Sequence, residues 1–164
     1  MKYFSLVLLC LFSISIYSQD VKLPVDTTVV TNHSVTIKGK SINYSAQTGT
    51  QPVWNEAGEP VASLFYTYYK RSDINNTENR PLVISFNGGP GYASVWMHLA
   101  YTGPRVLKID DEGFPVQPYG VKENPHSILD IADIVYVNPV NTGYSRLIEE
   151  GDKKQERKEF FGVR

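Results

Sequence analysis

The most constraining stretch lies in the middle of the chain. Pro81–Phe86 (PLVISF) is a short, unbroken apolar run that stops abruptly at Asn87-Gly88-Gly89-Pro90-Gly91. Ala93–Tyr101 (ASVWMHLAY) follows with helical spacing, placing Val95, Trp96 and Leu99 on one side, and Gly103-Pro104 ends it. An apolar run of that length predicts a strand covered on both faces, as in a parallel or mixed sheet. Strand, glycine loop and helix in that order leave bare backbone N–H groups pointing outward, with room for a substrate to come close. A helix N-terminus behind such a loop adds partial positive charge, so the unit suits an anion or a developing oxyanion.

Three readings of that loop compete. A phosphate cradle needs G-x-x-x-x-G-K-[ST] or G-x-G-x-x-G, and neither pattern is present. A tight turn with no ligand is the second. The third is an oxyanion-hole loop of the α/β-hydrolase type, in which a glycine-rich loop after an early strand supplies an N–H donor. The third is the reading favoured by the strand–loop–helix order.

Elsewhere the chain alternates between strand patterns and turns. Asp20–Asn32 is polar and Thr-rich and reads as an irregular arm. Ser34–Tyr44 alternates as a strand pattern with a turn at Gly39-Lys40, and Ser45–Pro60 reads as a loop or a bent continuation. Val61–Lys70 (VASLFYTYYK) and Asp133–Val137 (DIVYV) are strands, the latter broken by Asn138-Pro139. Arg71–Arg80 is a polar linker, Arg105–Ile109 a short strand, Asp110–Gly120 turn-rich, and Asn124-Pro125 opens a loop. Buried-looking strands alternating with a helix and long loops predict an α/β sheet. Glu149–Glu159 mixes both charge signs and reads as a solvated face, while Phe160-Phe161 calls for a core to pack in.

A length of 164 residues fits one domain. Sixteen Lys plus Arg against 17 Asp plus Glu give a net charge of −1, which excludes nucleic-acid binding driven by bulk positive charge. One cysteine excludes an internal disulfide and any multi-Cys metal site. There is no H-E-x-x-H, and Asp110-Asp111-Glu112 reads as a solvated turn, so neither metal nor cofactor is expected.

Residues 1–19 read as a secretory signal peptide. One Lys precedes an apolar run too short for a span of roughly 20 residues, and Tyr17-Ser18-Gln19 follows. Cleavage is expected after Ser18 or Gln19, and Cys10 leaves with the peptide. Leu9 precedes Cys10 where a lipoprotein site has a small residue, so no lipid anchor is expected. The remaining 20–164 is then secreted or periplasmic, with no membrane association. Asn32, Asn43 and Asn75 head formal glycosylation sequons that matter only in a eukaryotic secretory route.

Asn87-Gly88-Gly89-Pro90-Gly91, Gly103-Pro104, Asn124-Pro125 and Pro139-Val140-Asn141-Thr142-Gly143-Tyr144-Ser145 together resemble the N-terminal portion of the serine carboxypeptidase family, the carboxypeptidase Y and cathepsin A group. The resemblance covers roughly Val61–Ser145. It implies an α/β-hydrolase fold with a mixed, mostly parallel sheet, here incomplete, and removal of C-terminal residues from peptides by a Ser-Asp-His triad. It maps Gly89 to an oxyanion-hole N–H. It maps Asn87 and Gly88 to the grip on the substrate's terminal carboxylate, and an Asn amide and a bare Gly N–H can provide that grip without a charge. Ser85 stands where eukaryotic members have Trp, Tyr92 where they have Cys, and Tyr101 where they have a Glu of the carboxylate-binding network. Those departures suggest a bacterial-type branch.

No G-x-S-x-G elbow occurs in the 164 residues. Ser145 lacks the closing Gly and reads as structural. His98 reads as a packing or hydrogen-bonded residue near the cleft, His126 as a loop residue and His33 as part of the arm. The triad is therefore expected outside these residues, and the chain alone is expected to be inactive. The other outcomes are a secreted pseudo-hydrolase that binds carboxylate-ended peptides and one chain of a two-chain assembly. Without the neighbouring nucleophile strand, Leu82–Phe86 would be an apolar sheet edge prone to self-association.

Overall fold

The computed structural model describes residues 26–75, 78–87 and 91–148. The expected signal peptide, the charge run after Ile148, Phe160-Phe161 and the three residues Gly88, Gly89 and Pro90 lie outside the described residues.

Eight strands are present among the described residues: β1 (Thr28–Ile37), β2 (Lys40–Trp54), β3 (Pro60–Arg71), β4 (Leu82–Ser85), β5 (Arg105–Leu107), β6 (Val121–Glu123), β7 (Asp133–Val137) and β8 (Arg146–Leu147). The main sheet runs β1-β2-β3-β7-β4, with β8 beside the start of β3, and β5 and β6 form a separate ribbon. Among the described residues only the β4–β7 pairing is parallel. For the described residues, the expectation of a mostly parallel sheet is therefore corrected to a mixed, mainly antiparallel one. The reason is connection length: β1, β2 and β3 are joined by turns too short for a parallel crossover.

The first hairpin turns at Lys38-Gly39, both with positive φ (49° and 78°), one residue earlier than expected. Thr28–Asn32 is not an irregular arm but the first half of β1, paired throughout with Ser45–Gly49. Those five residues have exposed side chains, so no apolar alternation marks them. Ser45–Trp54 is the continuation of β2, not a loop. Gly49 permits a close approach there: a Cβ would lie 2.0 Å from the Thr27 carbonyl oxygen.

One face of the sheet carries the core. Val35, Ile37, Ile42, Tyr44, Tyr69, Ile134 and Tyr136 alternate inward and pack with Leu129, and Met97, Ile128 and Val83 complete the layer. On the opposite face an open groove of about 430 Å³ is lined by Leu64, Tyr66, Tyr68, Leu82, Val135 and Val137, with Gln47 and Gln51 at its side. Leu82 and Ile84 are 55% and 61% exposed, so β4 is covered on one face only among the described residues. β4 exposes Leu82 and Ile84 on one face, while Val83 and the buried Ser85 lie on the packed one.

The predicted helix is shorter than expected. Val95 and Trp96 begin it and Met97–Thr102 is wound as a π-helix. Val95 and Trp96 are exposed, whereas Met97 packs on the core and His98 contacts two core tyrosines. A 3₁₀ turn, Ile128–Asp130, lies before β7 and is capped by the Ser127 hydroxyl, which accepts from Leu129 N. No helix among the described residues is long and apolar enough to cross a membrane.

The β7 entrance is fixed by a buried ion pair. Arg80 Nε donates to Asp133 Oδ1 at 2.7 Å, with both side chains less than a tenth exposed. Asp133 Oδ1 also accepts from Arg71 N at 3.0 Å, and the Arg80 and Arg71 guanidinium groups both reach the Asp130 carbonyl. Charges buried this deeply persist only when paired and hydrogen-bonded, and this cluster meets both conditions.

Candidate functional site

Asn87 follows β4 directly and Ser94 lies just past the loop, and a side chain closes the gap between them. Ser94, 1% exposed, accepts from Asn87 N through Oγ at 3.0 Å and donates the same hydroxyl to the Val137 carbonyl. The Ser94 amide donates to Asn138 Oδ1 at 3.0 Å. Asn87, at the start of the glycine loop, and Ser94, just past its end, are thus both tied to the C-terminal end of β7.

The Pro139–Ser145 stretch folds back against the same point. Thr142 N and Oγ1 both donate to the Pro139 carbonyl, and Ser145 N donates to the Thr142 carbonyl. Ser145 is fully buried; its Oγ donates to the Asn138 carbonyl at 2.7 Å and accepts from Phe65 N at 2.8 Å. Both capacities of that hydroxyl are used on backbone, so Ser145 is a strut between β3 and β7, in line with its structural reading. Gly143, at φ 52°, faces the Asn138 side chain so closely that a Cβ would meet Nδ2 at 2.2 Å.

The other two motifs are also joined. Asn124, 4% exposed, donates its Nδ2 to the carbonyls of Tyr101 and Gly103, each at 2.8 Å, and its Oδ1 accepts from His126 N. Ser127 Oγ donates to the Thr102 carbonyl. The end of the π-helix, whose carbonyls have no partner further along the helix, is satisfied by these side chains. Gly103 is needed because a Cβ there would lie 2.3 Å from the His98 carbonyl oxygen.

The histidines take structural places. His98 stacks on Tyr136 with centroids 4.5 Å apart and shares a 2.5 Å hydrogen bond with the Tyr69 hydroxyl. Burial pushes its imidazole down to about 4, and burial holds the Tyr136 phenol up at about 12 and the Tyr69 phenol well above its ordinary value. His98 is neutral near pH 7 and packs against the core. His33 lies in β1, not in an irregular arm, and stacks on Tyr44. His126 follows Asn124 in a loop, as expected.

Of the predicted site residues, Asn87 is therefore placed beside Ser94, while Gly88 and Gly89 lie outside the described residues. At the departure positions, Ser85 is buried in β4 and Tyr92 and Tyr101 are 62% and 64% exposed. Asp110-Asp111-Glu112 forms a tight turn in which Asp110 Oδ1 accepts from Phe114 N. Among the described residues no cluster of His, Cys, Asp or Glu is arranged to hold a metal. Sequence reasoning missed Ser94, Asn124 and Asn138 as anchors, because a lone polar residue gives no sign of a partner 21 to 44 positions away.

Comparison with known proteins agrees with the motif order. The pattern of the serine carboxypeptidase family matches residues 39–160. The chain is 34% identical over 118 residues to serine carboxypeptidase-like 19 of Arabidopsis thaliana, covering 68% of this chain and 24% of that protein. It is 31% identical over 123 residues to carboxypeptidase Y homolog A of Leptosphaeria maculans, covering 66% and 21%. The crystal structure of Kex1(Δ)p, a prohormone-processing carboxypeptidase from Saccharomyces cerevisiae, superposes on 68% of this chain and 22% of its own, with 24% identity and a TM-score of 0.48. The chain thus spans about a quarter or less of the length of these relatives. With four linked motifs inside a match that covers most of its length, the chain belongs to the serine carboxypeptidase family.

Proposed function

We propose that these residues supply the oxyanion-hole and carboxylate-binding part of an exported serine carboxypeptidase with an α/β-hydrolase fold, one that removes C-terminal residues from peptides. The observation that carries this reading is the family match across 39–160, which spans the Asn87–Gly91 loop. In this reading the Gly89 N–H donates to the oxyanion that forms when a serine attacks the scissile carbonyl. The Asn87 amide and the Gly88 N–H hold the substrate's terminal carboxylate by hydrogen bonds. Export follows from the signal-peptide pattern of residues 1–19.

No G-x-S-x-G lies within the 164 residues, so the nucleophile is not supplied by them. Donors to an oxyanion without a nucleophile and base leave only a small residual rate even in a complete enzyme. These residues alone are expected to release no amino acid.

The test is hydrolysis of an N-blocked dipeptide and of its C-terminal amide by the complete gene product and by residues 20–164. Release from the free acid, weak release from the amide and none from residues 20–164 support the reading. Binding of the free acid without release by the complete gene product would overturn it in favour of a pseudo-hydrolase.

A further inference from the structure

Two motifs some fifty residues apart, the glycine loop and the Pro139–Ser145 turn, meet at one side chain. We propose that Asn138 is a positioning residue: with Ser94 it ties Asn87, where the Asn87–Gly91 loop begins, and the segment just past the loop to the end of β7, and Gly143 keeps its side chain in place. Asn138 is itself held at both backbone groups. Its N–H donates to the Phe65 carbonyl at 3.0 Å, and its carbonyl accepts from the buried Ser145 hydroxyl at 2.7 Å. That leaves the side chain as the adjustable part, and its Oδ1 accepts from Ser94 N at 3.0 Å. Ser94 Oγ then accepts from Asn87 N. The order of contacts is Phe65, Ser145, Asn138, Ser94, Asn87.

Gly143 closes the far side. A Cβ at that position would overlap Asn138 Nδ2 and Cγ, at 2.2 and 2.9 Å, and press on the Ala93 Cβ at 3.2 Å. The turn therefore constrains the Asn138 side chain from one side while Ser94 holds it from the other. A chain of hydrogen bonds from rigid strands to a loop is what sets donor geometry in advance of reaction. The catalytic consequence rests on the proposed carboxypeptidase reading, whereas the positioning itself does not.

The experiment uses the complete gene product with Asn138→Ala, Asn138→Asp and Gly143→Ala. Amide hydrogen exchange is followed by NMR at Asn87 and Ser94, with Tyr44 and Tyr69 as internal references, alongside kcat and KM on a blocked dipeptide. Asn138→Ala is expected to speed exchange at Asn87 and Ser94 by about tenfold with the references unchanged, the size of one lost hydrogen bond. Gly143→Ala, which displaces the side chain without removing it, gives the same pattern. Asn138→Asp keeps the acceptor for Ser94 N and restores slow exchange. Where turnover is present, kcat falls about tenfold in the Ala variants and KM for the free acid rises as well, because the oxyanion donor and the carboxylate grip share the loop. Unchanged exchange at Asn87 and Ser94, or an equal rise at the reference amides, overturns the proposal. Absence of turnover in the unsubstituted protein overturns the carboxypeptidase reading and leaves the exchange result to decide this one.

Discussion

The imidazole of His98 and the ring of Tyr136 lie nearly parallel, 16° apart in plane and 4.5 Å between centroids. This stack joins the π-helix to β7 and continues through Tyr69 to Tyr44 and His33. It is also a place where pH acts on the fold.

Burial lowers the His98 imidazole from 6.5 to about 4 in the folded chain. Between those values the unfolded chain binds a proton at this site and the folded chain does not, so stability falls as pH falls. The contribution is intact above about pH 6.5 and is lost as pH drops through about 4. On the order of 3 kcal/mol is lost across that window. Urea unfolding at several pH values checks this against His98→Gln, which removes the titration. The expected result is a steeper acid loss in the unsubstituted protein, and parallel curves contradict it.

The Arg80–Asp133 pair is the most deeply buried ion pair among the described residues. Arg80→Ala leaves Asp133 with the Arg71 amide but without its cation, and the Asp130 and Leu129 carbonyls lose donors. The expected destabilisation is about 3–5 kcal/mol. Arg80→Lys keeps the charge but cannot reproduce the fork of donors, so it recovers only part of the loss. Chemical denaturation of both variants measures the difference.

Asn124→Ala removes both donors from the carbonyls of Tyr101 and Gly103. Leaving one buried and one part-buried acceptor without this donor costs about 2 kcal/mol. Asn124→Asp is no better, because a carboxylate cannot donate to them. A rise in amide exchange over residues 97–103, ahead of the β2–β3 pairing, is the specific sign; uniform exchange across the chain argues against a local clip.

β4 is the last strand in the sheet order, and among the described residues its outer edge has no partner. Its Leu82 and Ile84 side chains are exposed beside Phe86, which is 65% exposed. An apolar, unpaired edge is a template for another chain. Residues 20–164 in isolation are expected to form oligomers at micromolar concentration in analytical ultracentrifugation. Ile84→Lys is expected to shift them toward monomer, and a monodisperse monomer from the unsubstituted protein contradicts the expectation.

Strand content was legible where β-branched and aromatic residues cluster. Val61–Lys70 became β3 within one residue at each end, and Asp133–Val137 became β7 without change. Thr28–Asn32 was not legible, since its strand character comes from pairing with β2 and not from its own side chains. β8 is two residues long and exists because Ala62 and Ser63 offer it an edge. The mainly antiparallel pairing among the described residues differs from the mostly parallel sheet that the family resemblance implies; apolar runs report burial, not orientation, and the short links between β1, β2 and β3 carry the direction. At the site, the glycine motif marked the loop, but its anchors did not stand out. Ser94 and Asn138 are ordinary polar letters until the fold brings them within 3.0 Å.

The sheet order has a consequence for a chain made from its N-terminus. β1, β2 and β3 are successive hairpin neighbours and can pair once residue 71 has left the ribosome. β4 comes next in synthesis, yet its seat is against β7, some fifty residues further on. Until β7 is made and slots between β3 and β4, the emerging Leu82–Ser85 segment has no strand to join. The nascent protein thus carries an apolar segment without its partner through a wait whose length is set by translation speed, and slower decoding between β4 and β7 prolongs that wait.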